Sequence, residues 1–136
     1  MRILVADDDV VLTRLLDERL RDRGFDVRIA YDALQAWQMA RREPPDLILL
    51  DIKMPGGSGL AVLRRLKSNL AVRHVPVIVI TAAEEQSLLQ QILALKPDAL
   101  LSKPVKLADL DFEISRLLAC RELSTSAPPI SSKGFR

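Results

Sequence analysis

A chain of 136 residues, 49% hydrophobic and 28% charged, is long enough to close one core without a disulfide or structural metal, and its only cysteine, Cys120, has no partner within the chain. The net charge of +2, with arginines scattered among acidic residues, argues against direct nucleic-acid binding, and no apolar run approaches the roughly 20 residues that span a bilayer. The first residues run from one basic side chain straight into three aspartates, unlike a secretory leader, so a cytoplasmic location is expected.

In chain order, short runs at 3–6, 27–30, 47–50, 77–80 and 99–101 are apolar at nearly every position, which predicts five strands buried on both faces. The segments between them have helical periodicity. The first helix is expected at 10–23, with Leu12, Leu15, Leu16 and Leu20 on one face and Gly24 as its stop. The second begins at Ala33, turns Ala36, Trp37 and Ala40 inward, and ends before Pro44 and Pro45. Residues 59–68 form the third, on a stripe of Leu60, Leu63 and Leu66. Residues 84–95 form the fourth, with more leucine than a one-sided helix requires, and 107–121 the fifth, with Leu110, Ile114, Leu117 and Leu118 buried. Such alternation predicts an α/β fold: a parallel sheet covered by helices. Residues 1–121 read as one domain, and 122–136 as a disordered tail or the start of a linker.

In an open parallel sheet, the loops after the strands converge on one edge. Here the first strand is followed by Asp7, Asp8 and Asp9, the third by Asp51, the fourth by Thr81, and the fifth by Ser102, Lys103 and Pro104. Carboxylates crowded together repel one another unless a cation lies between them. Mg²⁺ suits an all-oxygen set, with Asp7, Asp8 and Asp51 as ligands and the backbone carbonyl of Lys53 as a further donor. No cluster of His and Cys points to zinc, and the single His74 falls at the opposite edge of the sheet. Phosphoryl transfer requires an in-line nucleophile and positive charge around the moving oxygens. Asp51 fits the nucleophile, Lys103 the cation, and Thr81 a hydroxyl donor to a phosphoryl oxygen. Asp9 is read differently, as the N-cap of the first helix.

These residues resemble the response-regulator receiver domain, and in particular the single-domain chemotaxis receiver, over about residues 1–121. The resemblance rests on Leu4-Val5-Ala6-Asp7-Asp8-Asp9, on Asp46-Leu47-Ile48-Leu49-Leu50-Asp51-Ile52-Lys53-Met54-Pro55, on Ile80-Thr81-Ala82 and on Ser102-Lys103-Pro104, in that order. It implies a doubly wound (βα)5 flavodoxin-like sandwich with strand order 2-1-3-4-5. It implies Asp51 as phospho-acceptor, Asp7 and Asp8 as the acidic pair, Thr81 as switch hydroxyl and Lys103 as phosphoryl-binding lysine. A sensor histidine kinase or phosphotransfer protein is the implied donor, the Lys103-Pro104 bond is expected cis, and the chain is expected to catalyse only its own phosphorylation and dephosphorylation. The face formed by helix 84–95, strand 99–101 and helix 107–121 is the expected contact for a second copy or an effector.

Three positions depart from the family pattern. Leu100 stands where an aromatic switch residue is usual, and Gly56-Gly57-Ser58-Gly59 lacks the usual acid of that loop. Lys53 and Ala83, two residues beyond Asp51 and Thr81, offer no carboxylate or amide to orient a water, so a long-lived phosphorylated form is expected. Other functions fit less well. A haloacid-dehalogenase-type phosphatase needs a second acid where Lys53 stands, and a flavin carrier would not place three aspartates after its first strand. A phosphorylation-independent pseudo-receiver has Leu100 as its only support.

Overall fold

The computed structural model describes residues 1–126, with side chains described through residue 121. Five strands, β1 (Arg2–Ala6), β2 (Asp26–Ala30), β3 (Leu47–Asp51), β4 (Val77–Thr81) and β5 (Ala99–Ser102), alternate with five helices. The helices are α1 (Val10–Asp22), α2 (Ala33–Arg42), α3 (Gly59–Ser68), α4 (Gln86–Ala94) and α5 (Leu107–Ser126). All strand pairs are parallel, in the order β2-β1-β3-β4-β5, as the resemblance implied.

Successive strand side chains point to opposite faces, and the central strands are apolar on both. Leu4, Ile48, Leu50, Val77 and Val79 enter one core with α2, α3 and α4. Ile3, Val5, Leu47, Leu49, Ile78 and Ile80 enter the other with α1 and α5. Each fully buried Leu or Ile contributes about 1.5–3 kcal/mol, so the two cores fix the register of β1, β3 and β4.

Side-chain caps start three of the helices. Asp9 accepts from the Leu12 amide, as expected, Asp32 from Gln35, and Ser58 from Leu60 and Ala61. Helix α4 has no such cap and begins at Gln86, two residues later than its leucine pattern suggested. Its exposed leucine is real: Ile92 is its one buried residue and Leu93 is 56% exposed.

Two buried faces differ from expectation. Leu15 is exposed and Thr13 is buried in its place. The inward face of α1 is centred on Leu16 and Leu20, and the Thr13 hydroxyl can go inside because it donates to the Val10 carbonyl at 3.1 Å. Trp37 is half-buried rather than fully inward, with the Arg65 guanidinium 5.5 Å from its ring centre. Helix α5 continues to Ser126, five residues past its expected end, and residues 127–136 of the expected tail lie outside the described residues.

Candidate functional site

Strand register builds the site. Ala6 pairs with Leu50, so the next residues, Asp7 and Asp51, emerge side by side at the carboxyl edge of the neighbouring strands β1 and β3. Ile80 pairs with Asp51 and Ser102 with Thr81, which brings Thr81 and Lys103 to the same edge. The Lys103–Pro104 peptide is cis, as expected.

Asp7 and Asp51 are only 3% and 4% exposed, although both are carboxylates. The Lys103 Nζ bridges them, 2.9 Å from an oxygen of Asp7 and 3.3 Å from one of Asp51. Burial and the neighbouring Asp7 charge push the Asp51 carboxyl above its ordinary pKa, against the pull of Lys103 and of the Lys53 amide. Burial opposes the charge on Lys103, yet its contacts with Asp7 and Asp51 outweigh that and raise its pKa, which holds the ammonium protonated. One oxygen each from Asp7, Asp8 and Asp51 can be drawn from a group lying within 4.8 Å of one another, with Asp8 on the solvent side. An all-carboxylate set with net excess negative charge fits a hard divalent cation such as Mg²⁺.

The remaining expected residues stand close by in supporting positions. The Lys53 amide donates to Asp51 Oδ1 at 3.2 Å. Thr81 is 2% exposed and its hydroxyl accepts from the Ala83 amide at 3.1 Å, so strand β4 and its following loop share one hydrogen bond. Leu100 is half-buried on β5 and packs against the α2, α3 and α4 core. His74 lies at the other edge, as expected, where its carbonyl accepts from Arg121.

The loop after Asp51 has supports that spacing alone did not expose. The Ala33 amide at the start of α2 donates to the Pro55 carbonyl at 3.0 Å. A Cβ on Gly59 would fall 2.5 Å from the Ile52 carbonyl and 2.6 Å from that of Asp51, so only glycine fits there. Ser58, which interrupts the glycines, caps α3. A serine just before an apolar helical stripe was the available signal.

Comparison with known proteins agrees with this geometry. The chain is 41% identical over 104 residues to the response regulator PleD of Caulobacter vibrioides, a match covering 76% of this chain and 23% of PleD. It is 36% identical over 118 residues to the response regulator MprA of Mycobacterium leprae, covering 87% of this chain and 51% of MprA. The chain thus spans between about a quarter and half of these curated relatives. Among solved structures, a CheY-like receiver domain protein from Methanospirillum hungatei superposes with a TM-score of 0.84 at 28% identity, covering 90% of this chain and 97% of that one. The receiver domain of a sensor histidine kinase from Pseudomonas aeruginosa, whose structure has a magnesium ion coordinated in the active-site cleft, superposes with a TM-score of 0.79 at 30% identity, covering 87% and 97%. The family model for the response regulator receiver domain matches residues 3–115, and the chain belongs to that family.

Proposed function

We propose that Asp51 accepts a phosphoryl group from a phosphohistidine of a sensor histidine kinase or phosphotransfer protein. The observation that carries this reading is the Lys103 ammonium lodged between two nearly inaccessible carboxylates, Asp7 and Asp51. A buried acidic pair with one shared cation has unspent negative charge and a nucleophilic oxygen.

In the proposed step an Asp51 oxygen attacks phosphorus, the O–P bond forms as the donor's N–P bond breaks, and the electron pair returns to the imidazole ring. Asp7, Asp8, Asp51 and the Lys53 carbonyl would hold Mg²⁺, which when bound supplies positive charge to the phosphoryl oxygens. Lys103 shifts from bridging two carboxylates to neutralising a phosphoryl oxygen, and the buried Thr81 hydroxyl is the donor on the neighbouring strand. Because the Ala83 amide is bonded to that hydroxyl, rotating it toward the phosphoryl group acts directly on the β4–α4 loop. The chain acts only on itself in this scheme, as a cytoplasmic switch.

The output surface we assign is the α4–β5–α5 face, where Leu93 and Phe112 are 56% and 65% exposed. A second copy or an effector would dock there. Alanine at Leu89 and Leu93 is expected to weaken self-association or effector binding, and unchanged binding would remove the assignment.

Incubation with acetyl phosphate and Mg²⁺ followed by intact mass measurement tests the acceptor reading. A gain of one phosphate is expected, absent in Asp51→Asn. No gain in the wild-type chain would favour a phosphorylation-independent module, for which Leu100 is the one supporting feature. With Lys53 and Ala83 beside the acceptor, phosphate is expected to persist, and its loss within seconds would contradict a long-lived state.

A further inference from the structure

The turn between β2 and α2 carries none of the residues assigned to the site, yet it is bonded to the segments that carry Asp7 and Asp51. The Ala30 carbonyl at the end of β2 accepts from the Asp7 amide at 3.0 Å, and the Ala33 amide at the start of α2 donates to the Pro55 carbonyl at 3.0 Å. Two crossed bonds hold the turn itself, in the manner of a capping box. Asp32 Oδ1 accepts from the Gln35 amide at 2.7 Å, and Gln35 Oε1 accepts from the Tyr31 amide at 2.8 Å.

The loop after Asp51 is seated on this turn. It closes at its base where the Gly59 amide donates to the Ile52 carbonyl at 3.1 Å, and its apex, Pro55 and Gly56, lies against Asp32 and Ala33. Gly56 has a φ of +78°, and a Cβ there would stand 3.0 Å from the Asp32 Cβ and 3.2 Å from its Cγ, so the Asp32 side chain forms the seat. Lys53 and Met54 are strung between two anchors: the Lys53 amide donates to Asp51 Oδ1 at 3.2 Å, and the Pro55 carbonyl is held by Ala33. A backbone carbonyl has no side-chain torsion of its own, so anchors on either side are what orient it. Helix capping accounts for the bond from Gln35 to Asp32, but not for a loop packed on the capping side chain.

We propose, on the reading of Asp7, Asp8, Asp51 and the Lys53 carbonyl as Mg²⁺ donors, that Asp32 is a positioning residue for that site. By seating Pro55 and Gly56 it fixes the backbone that carries the Lys53 carbonyl, and it is not itself a ligand.

Calorimetric titration of the metal-free chain with Mg²⁺, beside urea unfolding of the same variants, tests this role. Asp32→Gly keeps a residue accepted at an N-cap but removes the seat, and should weaken Mg²⁺ binding about tenfold, the lower end of what residues orienting a metal ligand contribute, with little loss of stability. Asp32→Asn keeps cap and shape while losing the charge, and should bind Mg²⁺ nearly as the wild-type chain does. Gly56→Ala, which crowds Asp32, should weaken binding more in the wild-type background than in Asp32→Gly. Unchanged affinity in Asp32→Gly, an equal loss in Asp32→Asn, or additive losses in the double variant would overturn the positioning role and leave the donor set standing. A wild-type chain that takes up no Mg²⁺ would overturn both.

Discussion

Residues 3–7 and 47–52, which carry the Asp7 and Asp51 end of β1 and β3, are all 5% exposed or less, whereas α4 buries Ile92 alone and starts without a side-chain cap. The Asp51 corner is pinned by two cores, and α4 by part of one. Local opening free energy follows buried contacts and satisfied termini, so α4 belongs to the low-stability end of the molecule. The switch proposed above would need that asymmetry. Two carboxylates held in contact with one lysine would make the proposed chemistry reproducible, and a helix with few buried contacts, joined to Thr81 through the Ala83 loop, would make the response inexpensive.

The largest effects should come from dismantling the rigid side. Asp51→Asn should abolish phosphate uptake in the mass assay, and Lys103→Met should slow it by about 100-fold or more, the usual effect of removing one charge-stabilising donor. Gly59→Ala pushes a Cβ into the carbonyls of Ile52 and Asp51 and should lower the urea unfolding free energy by about 2 kcal/mol while also impairing uptake. Both losses in one variant would tie the loop's backbone to the chemistry.

Within α4, two neighbours separate support from surface. Ile92→Ala should cost about 2–4 kcal/mol in urea unfolding because Ile92 is fully buried, and Leu93→Ala should stay within about 0.5 kcal/mol. Equal costs would show that α4 is anchored along its whole length, against the comparison drawn above.

Electrostatic effects are smaller and have definite signs. Asp51 has a raised pKa in the fold, so its ionisation opposes folding, and stability lost as pH rises through that range should be regained in Asp51→Asn. In metal-free solution at neutral pH the variant should melt a few degrees higher, about 4 °C for each kcal/mol recovered. Asp111 on α5 behaves oppositely. Its hydrogen bond from Arg19, with Arg23 adding charge, holds its pKa down and staples α5 to α1. That stability is complete above the unfolded carboxylate value and fades as pH falls through the lower folded one. Asp111→Asn should therefore cost about 0.5 kcal/mol at pH 7, a value already reduced by solvent screening, and progressively less below about pH 4 in denaturation midpoints.

The grouping of residues around Asp51 was legible because each of them ends or follows an apolar strand. Asp7, Asp51, Thr81 and Lys103 follow runs whose identity leaves little freedom in register, so strand order and loop position largely determine who meets whom. Helix faces were harder. Leu15 and Thr13 exchange burial because a hydroxyl bonded to its own helix is cheap to bury, which hydrophobicity alone does not register. The Arg19–Asp111 and Arg23–Asp111 staple joins residues about ninety apart in sequence, beyond any local pattern.

The most direct measurement is chemical location of the phosphate. Treating the acetyl phosphate-loaded chain with borohydride reduces an aspartyl phosphate to homoserine, which tandem mass spectrometry can place. Homoserine at position 51, and at neither Asp7 nor Asp8, is the expected result. Homoserine at another aspartate, or none in a chain that has gained phosphate, would contradict Asp51 as the acceptor.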